Sequence, residues 1–344
     1  MGYRAVRVSD DPLNYFLHNE GHPSLLHISD VVLRENKDPK EVFAHAIRIA
    51  TGSKWSHSAI CYLLSKPHMG YNNTFLVEAK TKGVHIASWR DEVVPFDQFT
   101  VGIKRINMDW YQETPEEESL HNLRNHRDAQ DTIHGIAYLR HVRGMAFDQI
   151  NGLYDHKTVY EIAALYAKRA AKRRLTSVPQ VADAAGAIAD LFKKWDEADE
   201  SATNDLSFIC SGLVQYSFFE ALRWRIANAI DVPEFREIAL HNLRNMQHVI
   251  FCEDDEQLIP YYIEQVLAGK IDIHERPPED VLDLLKTATP ADFNNSANLA
   301  WRYVILKGIV WQIVETRDDY QASSKDEQEI LQMLSPEHRS DDNK

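Results

Sequence analysis

The sequence predicts an α+β fold: an antiparallel sheet packed on a helix that opens at a cysteine, with further helical segments added. Three observations predict it. Short apolar runs between residues 55 and 106 are separated by turn residues, as strands joined by hairpins are. From about residue 113 onward the apolar spacing is mostly that of helices. The stretch Phe208-Ile209-Cys210-Ser211-Gly212-Leu213-Val214-Gln215-Tyr216 sets a thiol ahead of a helical stripe made by Leu213, Val214, Ser217, Phe218 and Leu222. Asp205 and Ser207 precede it as candidate N-cap acceptors.

The elements follow in order. Residues 1–36 read as irregular, closing on a strand from Ile28 to Leu33. Asp38-Pro39 opens a helix through Ile49, with Val42, Phe43, Ala46 and Ile49 on one face and Gly52 as its stop. Trp55 to Leu64 reads as a strand bounded by Lys66-Pro67. Thr74 to Ala79 and Val84 to Trp89 are two short strands joined through the turn Lys80-Thr81-Lys82-Gly83, and Phe99 to Ile106 is another. An acidic start at Glu113 to Glu118 leads a helix to about Val142. From Thr158 to about Lys194 an Ala, Lys and Arg composition reads as a helical insert, its run Lys168, Arg169, Lys172, Arg173, Arg174 forming a solvated face.

After the Cys210 helix, Pro233 to Val249 and Gln257 to Ala268 read as helices, and Pro277-Pro278 leads a short one through Leu285. Thr289-Pro290-Ala291-Asp292-Phe293 is a helix start with proline at its first position. Tyr303 to Glu315 makes one or two closing strands, and the polar last twenty or so residues read as disordered. The organisation is therefore 1–110 as the N-terminal half of one domain, 111–204 as a mostly helical connection and insert, 205–320 as its C-terminal half, and 321–344 as a tail.

Composition narrows the function. The chain has 344 residues, 44% of them apolar, enough for a sizeable core. Its 52 acidic and 38 basic residues give a net charge of −14, which argues against nucleic acid as the main partner. Three cysteines, Cys61, Cys210 and Cys252, without CxxC spacing suggest neither a disulfide framework nor a zinc ribbon. Met1 to Asp11 has no apolar core of a signal peptide, and Trp301 to Val314 is broken by Arg302 and Lys307, so no membrane span is expected. A cytoplasmic protein without cofactor or metal is the expectation. His121, His126, His134 and His141 lack the i, i+4 spacing of a helical zinc site and read as solvated positions, as do His18, His22 and His27.

A thiol at a helix N-terminus lies in the positive end of the helix dipole, which favours thiolate. A cysteine nucleophile also needs a base, and the base a group that fixes its tautomer. His57, entering a strand in Ser56-His57-Ser58-Ala59-Ile60, is the candidate base. Glu78, a lone carboxylate in the apolar strand Phe75-Leu76-Val77-Glu78-Ala79, is the candidate orienting group, because an unpaired charge there is costly and a His⁺ partner would explain it.

At these residues the chain resembles a family. Phe208 to Tyr216 is similar to the "DCSGLV-x-Y" nucleophile segment of NlpC/P60 cysteine peptidases, with Ile209 where the family has Asp. His57 to Tyr62 resembles its "HVGIY" strand, and Leu76 to Ala79 with Gly83-Val84 the next strand, which carries the third polar residue. The order His57, Glu78, Cys210 is that of the circularly permuted, YiiX-like branch, related to lecithin:retinol acyltransferase. Asn151-Gly152-Leu153-Tyr154-Asp155 resembles that branch's "G-x-x-Y-D" stretch, and Thr289 to Phe293 a C-terminal segment of it. The resemblance covers residues 25–110, 144–160 and 204–315 and implies a permuted papain-like fold. It implies Cys210 as nucleophile, His57 as base, Glu78 as orienting group and Tyr154 as an auxiliary residue. The activity implied is cleavage of an amide or peptide bond through a thioester, on a substrate such as a peptide, a cell-wall fragment or a lipid. An acyltransferase or lipid hydrolase using the same set is the alternative, and a non-catalytic scaffold the second. The helices from 233 to 285 are expected to cap the cleft.

Overall fold

The computed structural model describes residues 2–17, 25–36, 44, 47–48, 51, 53–66, 72–80, 83–93, 99–119, 134–152, 209–252, 257–316, 322 and 324–334. Eight strands form one sheet: β1 (Gly2–Ser9), β2 (Val31–Asn36), β3 (His57–Leu63), β4 (Phe75–Lys80), β5 (Gly83–Ser88), β6 (Phe99–Ile106), β7 (Leu299–Leu306) and β8 (Ile309–Thr316). Their spatial order is β1-β8-β7-β6-β2-β3-β4-β5, every neighbouring pair antiparallel. The α+β class with an antiparallel sheet is therefore as expected.

The helices are α1 (Pro12–Leu17), α2 (Trp89–Val93), α3 (Ile136–Asp148), α4 (Cys210–Ile230), α5 (Arg236–Arg244), α6 (Leu258–Leu267), α7 (Glu279–Lys286), α8 (Pro290–Asn295) and α9 (Lys325–Leu334), with a 3-10 turn at Met246–Val249 after α5. Period-two alternation along the strands sends side chains to two cores. On one face Val31, Leu33, Ile60 and Val77 join Leu213, Val214 and Phe218 of α4. On the other, Val32, Ala59, Cys61 and Leu76 meet Phe16, Leu17 and Trp89. The Phe16 and Trp89 rings meet edge to face at 5.5 Å.

The central member is α4. Cys210, Ser211, Gly212, Leu213, Val214, Gln215, Ser217, Phe218 and Phe219 are all buried, so its N-terminal half is enclosed on every side. It lies against β3 and β4 in front, α3 at its flank, and α5 and α7 behind. The approach of α7 fixes glycine at 212, since a Cβ there would meet the Lys286 carbonyl. Gln215 clamps α4 to the segment after α5, donating to the Val249 carbonyl at 2.8 Å and accepting from the Phe251 N–H at 2.7 Å.

Several expectations need correction. The N-terminal residues are not irregular: β1 pairs with β8, from Gly2↔Thr316 to Ser9↔Val310, a partnership some 300 residues away in sequence that local patterning cannot reveal. The helix expected to run from Glu113 to Val142 is not continuous, because Gly135, at φ 75, caps the start of α3, which continues to Asp148. The tail after 321 is not wholly disordered, since α9 buries Ile330, Met333 and Leu334. Pro233 to Val249 is α5 plus the 3-10 turn rather than one helix. The closing segment is two strands, β7 and β8, and Thr289 caps α8 with a full capping box to Asp292. Of the helices between 233 and 285, α5 and α7 pack on α4, and α6 packs on α5, α7 and the 3-10 turn and sets Tyr262 against Phe219. The insert at 158–194 and most of the helix expected at 38–49 lie outside the described residues, although residues 44, 47–48 and 51 are helical.

Candidate active site

Cys210 is the first residue of α4 and 2% exposed. The N-cap position belongs to Ile209, in extended conformation and with no side chain capping the helix. Asp205 and Ser207, expected to cap it, lie outside the described residues. Among the described residues no side chain caps this first turn, and its N–H groups point toward the end where the sulfur sits.

Strand pairing makes room for the thiol. β3 pairs with β4 from Ile60↔Val77 to Leu63↔Phe75. Before the first of these pairs, the Ser58 backbone N–H is given to the Cys210 sulfur. His57, which opens β3 opposite Arg34 of β2, brings its imidazole near enough to the same sulfur to favour the thiolate. Its Nε2 is 2.7 Å from Glu78 Oε2, which leaves Nδ1 to face Cys210. Glu78 lies in the middle of β4 and is 1% exposed. The three residues singled out from the sequence, on two strands and a helix, thus stand in a row: thiol beside imidazole, and imidazole hydrogen-bonded to carboxylate.

Electrostatics follow the geometry. Burial alone would raise the thiol pKa, but the His57 charge and the Ser58 N–H together bring Cys210 below the ordinary thiol range. His57 is raised despite burial, by Cys210 and then by Glu78. Glu78 is held well below the usual carboxylate range, its burial outweighed by His57, His85 and Lys80. All three directions favour a thiolate–imidazolium pair over the neutral pair.

Two further groups touch Glu78, and sequence reading passed them over. Its Oε1 is 2.7 Å from Lys80 Nζ and 3.1 Å from His85 Nε2. Neither contact has the alignment of a hydrogen bond, so charge rather than direction compensates that buried oxygen. The signal was present: a turn closing at Lys80↔Gly83 sets Glu78 directly opposite His85 two pairs further along.

The remaining candidates that fall among the described residues have partners elsewhere. Tyr154 lies outside the described residues, as do His18, His22, His121 and His126. His27 gives its backbone N–H to Asp30, and burial lowers its imidazole to about 4. His134 bonds the Tyr111 carbonyl at 2.7 Å, and the His141 ring lies tilted against Trp224, centroids 4.6 Å apart. Among the described residues no group of three or more His, Cys, Asp or Glu is arranged to hold a metal ion. None of the three cysteines is in a disulfide; Cys61 is fully buried in β3, with burial and Asp30 pushing its thiol well up, whereas Cys210 has the His57 base beside it. No helix among the described residues is long and apolar enough to cross a membrane. Compared with protein-family models, curated proteins and solved structures, the chain shows no significant match to any of them.

Proposed function

We propose that the protein is a cysteine hydrolase of the permuted papain-like, NlpC/P60 type that cleaves an amide or peptide bond through a thioester on Cys210. The observation that carries this reading is the buried chain Cys210–His57–Glu78, with the sulfur at a helix N-terminus and the carboxylate on the far nitrogen of the imidazole. A fold that only needed a packed thiol would not set a charged pair beside it, because burying charge is costly unless it is compensated.

In the first step the Cys210 thiolate attacks the substrate carbonyl carbon. The C–S bond forms, the carbonyl π pair moves to oxygen, and the Cys210 backbone N–H at the start of α4 meets the oxyanion. The intermediate collapses as the C–N bond breaks, and the departing amine takes the proton from His57. The product is a thioester on Cys210. His57, now neutral, takes a proton from water as its oxygen attacks the thioester; the acid leaves, and the thiolate–imidazolium pair is restored. Glu78 holds His57 in the tautomer with Nδ1 toward sulfur throughout.

The test is thiol titration. Iodoacetamide labelling from pH 4 to 9 with mass-spectrometric mapping should find Cys210 reacting well below pH 8, ahead of Cys61 and Cys252. His57→Ala should remove that low-pH reactivity, and Cys210→Ala should abolish turnover of amide substrates without changing the circular dichroism spectrum. A Cys210 no more reactive than Cys61 would overturn the reading in favour of a scaffold. Transfer of the acyl group to an alcohol or lipid in place of water would redirect it to acyl transfer.

A further inference from the structure

We infer that His85 is a positioning residue for this site, acting through Glu78 as a solvent-reached imidazolium that keeps the carboxylate aimed at His57; the inference rests on the reading of Cys210 as nucleophile. Glu78 is shared by two imidazoles, Oε2 facing His57 Nε2 at 2.7 Å and Oε1 facing His85 Nε2 at 3.1 Å. The other nitrogen of His85, Nδ1, is 3.2 Å from the Gly83 carbonyl. Both ring nitrogens therefore face acceptors. Only the doubly protonated ring presents an N–H and its positive charge to both oxygens; the neutral ring must turn a lone pair toward one of them.

The two histidines differ in their access to water. The side chain of His57 is 13% exposed and that of His85 40% exposed. His85 can thus exchange its proton with solvent while His57 stays enclosed by Cys210 and Glu78. Among the described residues the charged groups that act on His85 are Glu78 and Lys80, both on β4. The outer edge of β5 is bonded to the backbone of Asn151 and Gly152, and Arg90 of α2 donates to the Asn72 carbonyl. Glu78 raises the His85 imidazolium above its ordinary range, with Gly83 helping and Lys80 opposing.

The thiolate–imidazolium pair of Cys210 and His57 is neutral as a whole, so a cation beyond Glu78 changes its energy little by charge alone. What that cation changes is the freedom of Glu78. With Oε1 held by Lys80 and His85⁺, rotation of the carboxylate away from His57 would bare a buried anionic oxygen. Once His85 loses its proton, Lys80 alone compensates Oε1 and the carboxylate is held less firmly. The contribution of His85 is therefore complete below its ordinary pKa and lost as pH rises through its raised one.

The experiment compares wild type, His85→Ala and His85→Gln across pH 5.5 to 9. The rate of Cys210 alkylation in His85→Ala should be about fivefold below wild type at pH 6, the upper end for a solvent-reached ion pair. The ratio should fall toward one as pH rises through the raised pKa of His85. His85→Gln, which keeps an N–H donor but cannot titrate, should recover part of the loss at pH 6. In parallel, NMR should show the His57 Nε2 proton exchanging with solvent faster in His85→Ala than in wild type at pH 6 and equally fast at pH 9. A rate ratio that is constant with pH, or equal to one throughout, overturns the inference, as does unaltered exchange of the His57 proton. Failure of wild-type Cys210 to react below pH 8 is a different result: it overturns the proposed nucleophile, and the exchange measurement still reads the Glu78–His57 contact by itself.

Discussion

Glu78 is the residue on which the site turns, because its two oxygens serve opposite ends of the arrangement. Oε2 orients the base and Oε1 gathers Lys80 and His85. Replacing it by Gln keeps the shape and removes the charge, so His57 can be hydrogen-bonded in the wrong tautomer and its imidazolium is no longer stabilised. We expect Glu78→Gln to lower the acylation rate by about 10²-fold or more, by analogy with the loss when the acid of a serine triad is made an amide. The measurement is single-turnover acylation of Cys210, with circular dichroism to show that the variant folds. A loss under threefold would mean that Glu78 serves packing and not His57. Acid should act in the same direction. The Glu78 pKa is depressed in the fold, so its contribution to stability is present above the ordinary carboxylate range and is lost as pH falls through that range toward the depressed value. His57 is raised, and its contribution runs the other way, complete at low pH and lost as pH rises through its folded pKa.

At the scale of elements, the site depends on where α4 ends, and Gly212 sets how closely α7 can approach that end. Ala in place of Gly favours a helix interior by about 1 kcal/mol. Here the new methyl would meet the Lys286 carbonyl, a backbone atom that moves only if α7 moves, and overpacking of that kind costs about 1–3 kcal/mol. The clash should win: Gly212→Ala is expected to be less stable by up to about 2 kcal/mol in urea and to label more slowly at Cys210. An unchanged or raised urea midpoint would show that α7 yields freely. The elements around this contact were legible in the sequence because their signals are local. The proline at the first turn and Thr289 marked α8, Lys80 to Gly83 marked a hairpin, and the apolar stripe after Cys210 marked α4. Its closing partners were not legible. β1 exists through pairing with β8, and α9 through burying Ile330 and Leu334, both of which depend on chain that is distant in sequence. The same division applies to the site. Cys210, His57 and Glu78 each stood out from an apolar setting, whereas His85, in a strand with ordinary alternation, could be recognised only from the register that places it opposite Glu78.

At the scale of the molecule, the two halves of the chain share one sheet. β6 is the seam: it pairs with β2 on one side and with β7 on the other, across nearly two hundred intervening residues. At that seam Lys104 is 1% exposed, beside a register shift in the β6–β7 pairing. Its Nζ donates to the carbonyls of Phe293, Asn294 and Ser296 at 2.6, 2.8 and 3.2 Å, at and just after the end of α8, and lies 5.0 Å from the Trp301 ring. Burial pushes the Lys104 ammonium down to about 7, and three carbonyls are the environment that opposes this, since only the charged form has three N–H donors. The same Asn294 accepts the Trp55 indole N–H at 3.1 Å, two residues ahead of His57. Lys104 therefore ties the C-terminal half to the strand that delivers the base. Lys104→Met fills similar volume and relieves the cost of burying a charge, but takes the Lys104 donor from the Phe293 and Asn294 carbonyls, at about 1–3 kcal/mol each, while Ser296 keeps the Leu299 N–H. The deficit exceeds the relief, and the variant should lose about 2–4 kcal/mol of stability in urea with an unchanged slope. Its Cys210 labelling at pH 6 should also slow, because Trp55 and His57 lose their anchor. A Lys104→Met protein as stable as wild type would show that α8 is held by its capping box and apolar contacts alone. Normal labelling in a destabilised variant would show that the seam stabilises the sheet without placing the base.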